Sequence, residues 1–98
     1  PTPAPAAPAS ETVNIVMGDF FFEPLAEDVV VPTGKPITFK IDNQGLAVHN
    51  LTSTDFGIKP YDVQAQSTGE VTGGSPRAGT YKFICTYHPG MDVEVTVR

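Results

Sequence analysis

The chain has 98 residues, a single cysteine, 11 acidic and 6 basic residues and a formal net charge of −5. That length argues for one domain with a modest core. The acidic balance speaks against nucleic acid or anionic membrane surfaces as partners and for a basic protein. One cysteine excludes an internal disulfide, and no apolar run approaches the roughly 20 residues of a membrane-crossing helix.

Pro1 to Ser10 holds four prolines and four alanines, with no charge and no large apolar side chain. Such a segment buries too little surface to offset the entropy of ordering it, and its prolines favour a semi-rigid extended form. Residues 1–11 are therefore expected as a flexible tail or linker, tethering the chain to an anchor or another domain. Residues 12–98 are expected as the folded domain.

From Glu11 the pattern turns to short alternating runs. Val13, Ile15 and Met17 fall on one face at period two. Phe20-Phe21-Phe22 cannot all point one way from a strand, so part of this run is expected to cap an end of the core. Pro24 marks a bend or an edge. Val29-Val30-Val31 reads as a short buried strand, stopped by the turn signal Pro32-Thr33-Gly34. Ile37, Phe39 and Ile41 alternate with Thr38, Lys40 and Asp42, which makes a half-buried strand. Asn43-Gln44-Gly45 turns the chain, and Val48 to Ser53 resumes as strand.

Residues 54–68 show no clear period and read as irregular. A short strand over about Glu70 to Thr72 ends in the loop Gly73-Gly74-Ser75-Pro76. Tyr81, Phe83 and Cys85 share a face of the next strand. Val93, Val95 and Val97 alternate with Asp92, Glu94 and Thr96 in the last. About seven or eight short strands and no amphipathic helix predict an all-β protein, a Greek-key antiparallel β-sandwich.

The chemistry concentrates at the end of the strand that carries Cys85. A thiolate, an imidazole and a thioether occur there at Cys85-x-x-His88-x-x-Met91 spacing. His88 comes too soon after the strand end to continue the ladder, so the loop can fold it back towards Cys85. Pro89 limits φ, and Gly90 permits a tight return for Met91. This loop offers three donors, and His49 is the only remaining residue of the right type for a fourth. Two imidazoles, one thiolate and a weak thioether are the donor set of blue-copper electron-transfer sites.

Each residue taken singly also has an ordinary reading: a buried thiol, a solvated loop histidine, a core histidine, a core methionine. Met17 is a rival thioether, although its face with Val13 and Ile15 suits the core. A cysteine–histidine nucleophile would lack an orienting group and an oxyanion hole. Zinc favours cysteine, histidine and carboxylate over methionine. A two-copper centre would need a second cysteine.

The segments Phe22-Glu23-Pro24, Val29-Val30-Val31-Pro32-Thr33-Gly34, Ile37-Thr38-Phe39, Asn43, Val48-His49-Asn50, Gly79-Thr80-Tyr81 and Cys85-Thr86-Tyr87-His88-Pro89-Gly90-Met91 together resemble a small cupredoxin. The likeness is to the plastocyanin, amicyanin and pseudoazurin kind. The gap between His88 and Met91 is shorter than in plastocyanins and similar to that of amicyanin, and Tyr87 stands where many relatives have proline. The resemblance implies His49, Cys85 and His88 as equatorial copper ligands with Met91 axial. It also implies that Asn50 ties the two ligand segments together and that its amide donates to the cysteine sulfur.

The resemblance further implies a type 1 copper protein that carries single electrons between larger redox proteins and is not an enzyme. The alternatives are a cupredoxin module of a multidomain copper enzyme and a copper carrier. Expected partners are transient redox proteins such as cytochromes, an oxidase or a reductase, met by a monomer. The expected place is exported, periplasmic or on the outer face of the cytoplasmic membrane. The docking surface is expected around the edge of His88, from Pro89, Gly90, Gly45, Leu46 and Ala47.

Overall fold

The computed structural model describes residues 11–23 and 29–98, and these contain strands and turns but no helix. Nine strands run in order: β1 Glu11–Gly18, β2 Phe21–Glu23, β3 Val30–Val31, β4 Pro36–Asn43, β5 His49–Ser53, β6 Ile58–Val63, β7 Ser67–Gly74, β8 Gly79–Ile84 and β9 Asp92–Val97. They form one sheet in the order β2-β1-β4-β7 and a second in the order β3-β9-β8-β5-β6. The tail expected over residues 1–11 lies outside the described residues except for Glu11, which already pairs with Ile37. Pro24 lies outside them too.

Alternation explains why these segments are strands. In β4, Ile37, Phe39 and Ile41 are buried, while Thr38, Lys40 and Asp42 between them are not. The same rule turns Val93, Val95 and Val97 of β9 inward. Between the sheets the aromatic rings interlock, with Phe39 at 5.0 Å from Phe83 and 6.0 Å from Phe56, centroid to centroid. Burial of such side chains stabilises the fold by about 1.5–3 kcal/mol each.

Several features differ from the sequence-based expectation. The strands number nine among the described residues, and the sheets are mixed, because β1 runs parallel to β4 and β3 parallel to β9. Alternation specifies which face a side chain takes, not the direction of the neighbouring strand. Residues 58–63 are strand β6 rather than irregular. Pro60 is tolerated there because β6 is a sheet edge, and a register shift between Leu51 and Ser53 accompanies its pairing. Strand β7 extends from Ser67 through Gly74, pairing along the whole of β4, so the two glycines expected as loop are strand. Val30 is exposed, while Val29 and Val31 on either side of it are buried.

Candidate metal centre

The sandwich brings three segments to one end: the turn between β1 and β2, the loop from β4 to β5, and the loop from β8 to β9. His49 opens β5, in which every residue is buried, and its own exposure is 0%. Cys85 directly succeeds β8 and is buried. The Cys85–Met91 loop closes on itself. The Cys85 amide donates to the Met91 carbonyl at 3.0 Å, and the Met91 amide donates to the His88 carbonyl at 3.1 Å. Gly90 has φ +90°, a conformation that L side chains rarely adopt, so glycine makes this return possible.

His49, Cys85 and His88 each bring a donor atom into a cluster in which all three atoms lie within 4.8 Å of one another. Sγ of Cys85 is 3.9 Å from Nδ1 of His49. Two donors bound to one transition-metal ion at about 2.0–2.3 Å each can have that separation. Among the described residues the one buried side-chain polar atom without a hydrogen-bond partner is Nε2 of His88. A metal in the cluster would give that imidazole a partner that the chain does not. The donor set therefore fits a soft transition metal. Met91 is buried and lines the same loop cavity as Cys85 and His88. Met17, the rival thioether, is a core residue of β1.

Asn50 joins the two histidine-bearing segments. Its side-chain amide donates to Thr86 Oγ1 at 2.6 Å, and its carbonyl oxygen accepts from the Thr86 amide at 3.0 Å. Thr52 donates to the same oxygen at 2.9 Å. The backbone amide of Asn50 points at Cys85 Sγ at 3.4 Å, the contact expected from the resemblance.

Sequence reasoning missed Asp19. Its Oδ1 accepts from His49 Nε2 at 2.7 Å, and its Oδ2 accepts from the Leu46 amide at 2.9 Å. With the proton on Nε2, Nδ1 keeps its lone pair on the side of Cys85. The Leu46 amide and the His49 contact hold the Asp19 carboxyl below its ordinary value. Gly45 makes the approach possible, because a Cβ there would collide with Asp19 Oδ1. A turn glycine just before His49 was the only sequence signal, and it names no partner.

Of the Phe20–Phe22 run, part of which is expected from the sequence to cap an end of the core, Phe22 is buried in the core, whereas Phe20 lies exposed beside both histidines of the cluster. Its ring lies 4.6 Å from that of His88 and 5.9 Å from that of His49, centroid to centroid. Of the surface expected around His88, Leu46 is 84% exposed and Pro89 and Gly90 are exposed, whereas Gly45 is buried against Asp19. Tyr87 donates its hydroxyl to Asp62 of β6 at 2.7 Å. That bond raises the Tyr87 pKa above the ordinary phenol value.

Comparison with known proteins agrees with this geometry. A family model described as a cupredoxin-like domain matches residues 2–97. The copper-resistant cuproprotein CopI of Pseudomonas aeruginosa is 36% identical over 53 residues, which cover 54% of this chain and 28% of that protein. The chain thus spans under a third of the length of that relative.

Solved structures share the fold. The dithionite-reduced auracyanin of Roseiflexus castenholzii superposes with a TM-score of 0.70 at 23% identity, covering 93% of this chain and 99% of that one. The periplasmic domain of subunit II of cytochrome oxidase from Bradyrhizobium japonicum gives a TM-score of 0.72 at 16% identity, covering 94% of this chain and 86% of that one. Cupredoxins bind copper, and the cluster of His49, Cys85 and His88 fits a type 1 site. The chain belongs to the cupredoxin-like domain family.

Proposed function

We propose that this chain carries single electrons between larger redox proteins through one type 1 copper ion, which His49, Cys85, His88 and the thioether of Met91 would hold. The observation that carries the reading is the convergence of the three donors from β5 and the β8–β9 loop within 4.8 Å. Copper in such a site supplies a one-electron couple between Cu(II) and Cu(I). The chain supplies the frame. Asp19 orients His49, the Asn50 amide withdraws charge from the Cys85 sulfur, and the Asn50–Thr86 bonds keep the two ligand segments in register. A frame held this way changes little between oxidation states, which favours fast transfer. No substrate is transformed, so the chain is not an enzyme.

Redox proteins such as cytochromes, an oxidase or a reductase are the partners in this reading, met briefly by a monomer outside the cytoplasm. Among the described residues no helix is long and apolar enough to cross a membrane. The likeness to an oxidase subunit II domain supports a second reading, a module of a larger copper enzyme. The single cysteine speaks against a two-copper centre in such a module. The local identity to a copper-resistance protein supports a third reading, a copper carrier.

Reductive cycling separates electron transfer from copper carriage. The copper-loaded protein should bleach with ascorbate and regain its colour with ferricyanide over repeated cycles, while excess chelator draws off little metal. Rapid loss of copper to the chelator on reduction would favour the carrier and contradict electron transfer.

A further inference from the structure

We propose that the Asp19–Phe20 turn is a cap that closes the metal centre to small molecules, with Asp19 as its anchor and Phe20 as its cover. The inference rests on the copper-site reading. Three of the four proposed ligands are already sealed inside the sandwich: His49, Cys85 and Met91 are 0%, 3% and 2% exposed. His88 is the partly exposed one, and it sits in a loop whose neighbours Tyr87, Pro89 and Gly90 are exposed. Of the four, His88 is therefore the ligand that offers a path from solvent to the proposed metal.

Phe20 stands on that path. Its ring packs against His88 at 4.6 Å and a 56° tilt, and against His49 at 5.9 Å in an edge-on contact. Both separations lie in the range of attractive aromatic pairs. Phe20 is nevertheless 59% exposed and makes no part of the buried core, so core packing does not explain its place. Its position is instead fixed by the residue before it. Asp19 is held by His49 Nε2 and by the amides of Leu46 and Ala47, at 2.7, 2.9 and 3.4 Å. The same turn thus grips one ligand and covers the other. The His88 ring, around whose edge the sequence places the docking surface, is thus packed against a phenyl ring.

Phe20→Ala tests the cap in two forms of the protein. In the metal-free form, diethyl pyrocarbonate should modify His88 several-fold faster than in the wild type, with the site of modification mapped by mass spectrometry. In the copper-loaded form, loss of Cu(II) to excess EDTA should accelerate several-fold. Phe20→Tyr, which keeps the ring, should restore both rates. Leu46→Ala removes a more exposed apolar side chain near the same end and should change neither.

An unchanged rate of His88 modification in metal-free Phe20→Ala would overturn the cap. So would equal acceleration by Leu46→Ala. If no variant develops a thiolate-to-copper band, the copper reading fails, and the metal-free modification rates still decide whether Phe20 covers His88.

Discussion

The two segments that supply the proposed ligands are built in opposite ways. His49 stands in a strand with no exposed residue, its imidazole gripped by Asp19 and the side chain of its neighbour Asn50 bonded at both ends. His88 stands in a loop of mostly exposed residues, and its side chain has no hydrogen-bond partner at Nε2. The first segment sets the geometry from within the sandwich. The second leaves one ligand near the surface, where electrons can pass, under the single ring of Phe20. Rigid on one side and near the surface on the other is a division that suits the electron carrier proposed above.

Substitutions on the two sides should therefore separate by size and by kind. The largest effect is expected on the buried side, where Asp19→Ala frees the His49 ring. Copper affinity should fall by about 10–100-fold, as for other changes behind a ligating histidine. A competition titration against a chelator measures it, and an unchanged affinity would mean that the strand alone holds His49 in place.

Next comes Asn50→Ala, which strands the Thr86 amide and removes the side-chain bonds between the two segments. It should lower the stability of the metal-free protein by about 1–3 kcal/mol in chemical denaturation. Met91→Leu should leave copper bound and raise the reduction potential in voltammetry, since it withdraws a weak axial donor from Cu(II). An unmoved potential would return the axial role to another residue or to none. The smallest effect is expected from Tyr87→Phe on the exposed side. It removes only the surface bond to Asp62 and should lower the thermal midpoint less than Asn50→Ala does.

Legibility in the sequence divides along the same line. Cys85, His88 and Met91 stand out because their chemistry is packed into one short stretch, and His49 because no other histidine remains. The faces of β1, β4, β8 and β9 can be read because period-two alternation is a local property. Contacts between segments distant in sequence are not legible. Asp19 lies 30 residues before His49, and nothing local to either announces that a turn carries one to the other. Phe20 looks like one of three adjacent aromatics, of which only Phe22 is buried.

The parallel pairing of β1 with β4 is hidden for the same reason. Strand β6 is hidden differently. Pro60 and an irregular register break the alternation that would have marked it, and an edge position makes both tolerable.

The most direct test of the copper site is the visible and EPR spectrum of the wild type and of Cys85→Ser after addition of Cu(II). The wild type should show an intense visible thiolate-to-copper band with narrow copper hyperfine splitting, and Cys85→Ser should show neither. A colourless wild type, or colour that survives in Cys85→Ser, would contradict the assignment of Cys85 as the thiolate ligand and with it the function proposed for the chain.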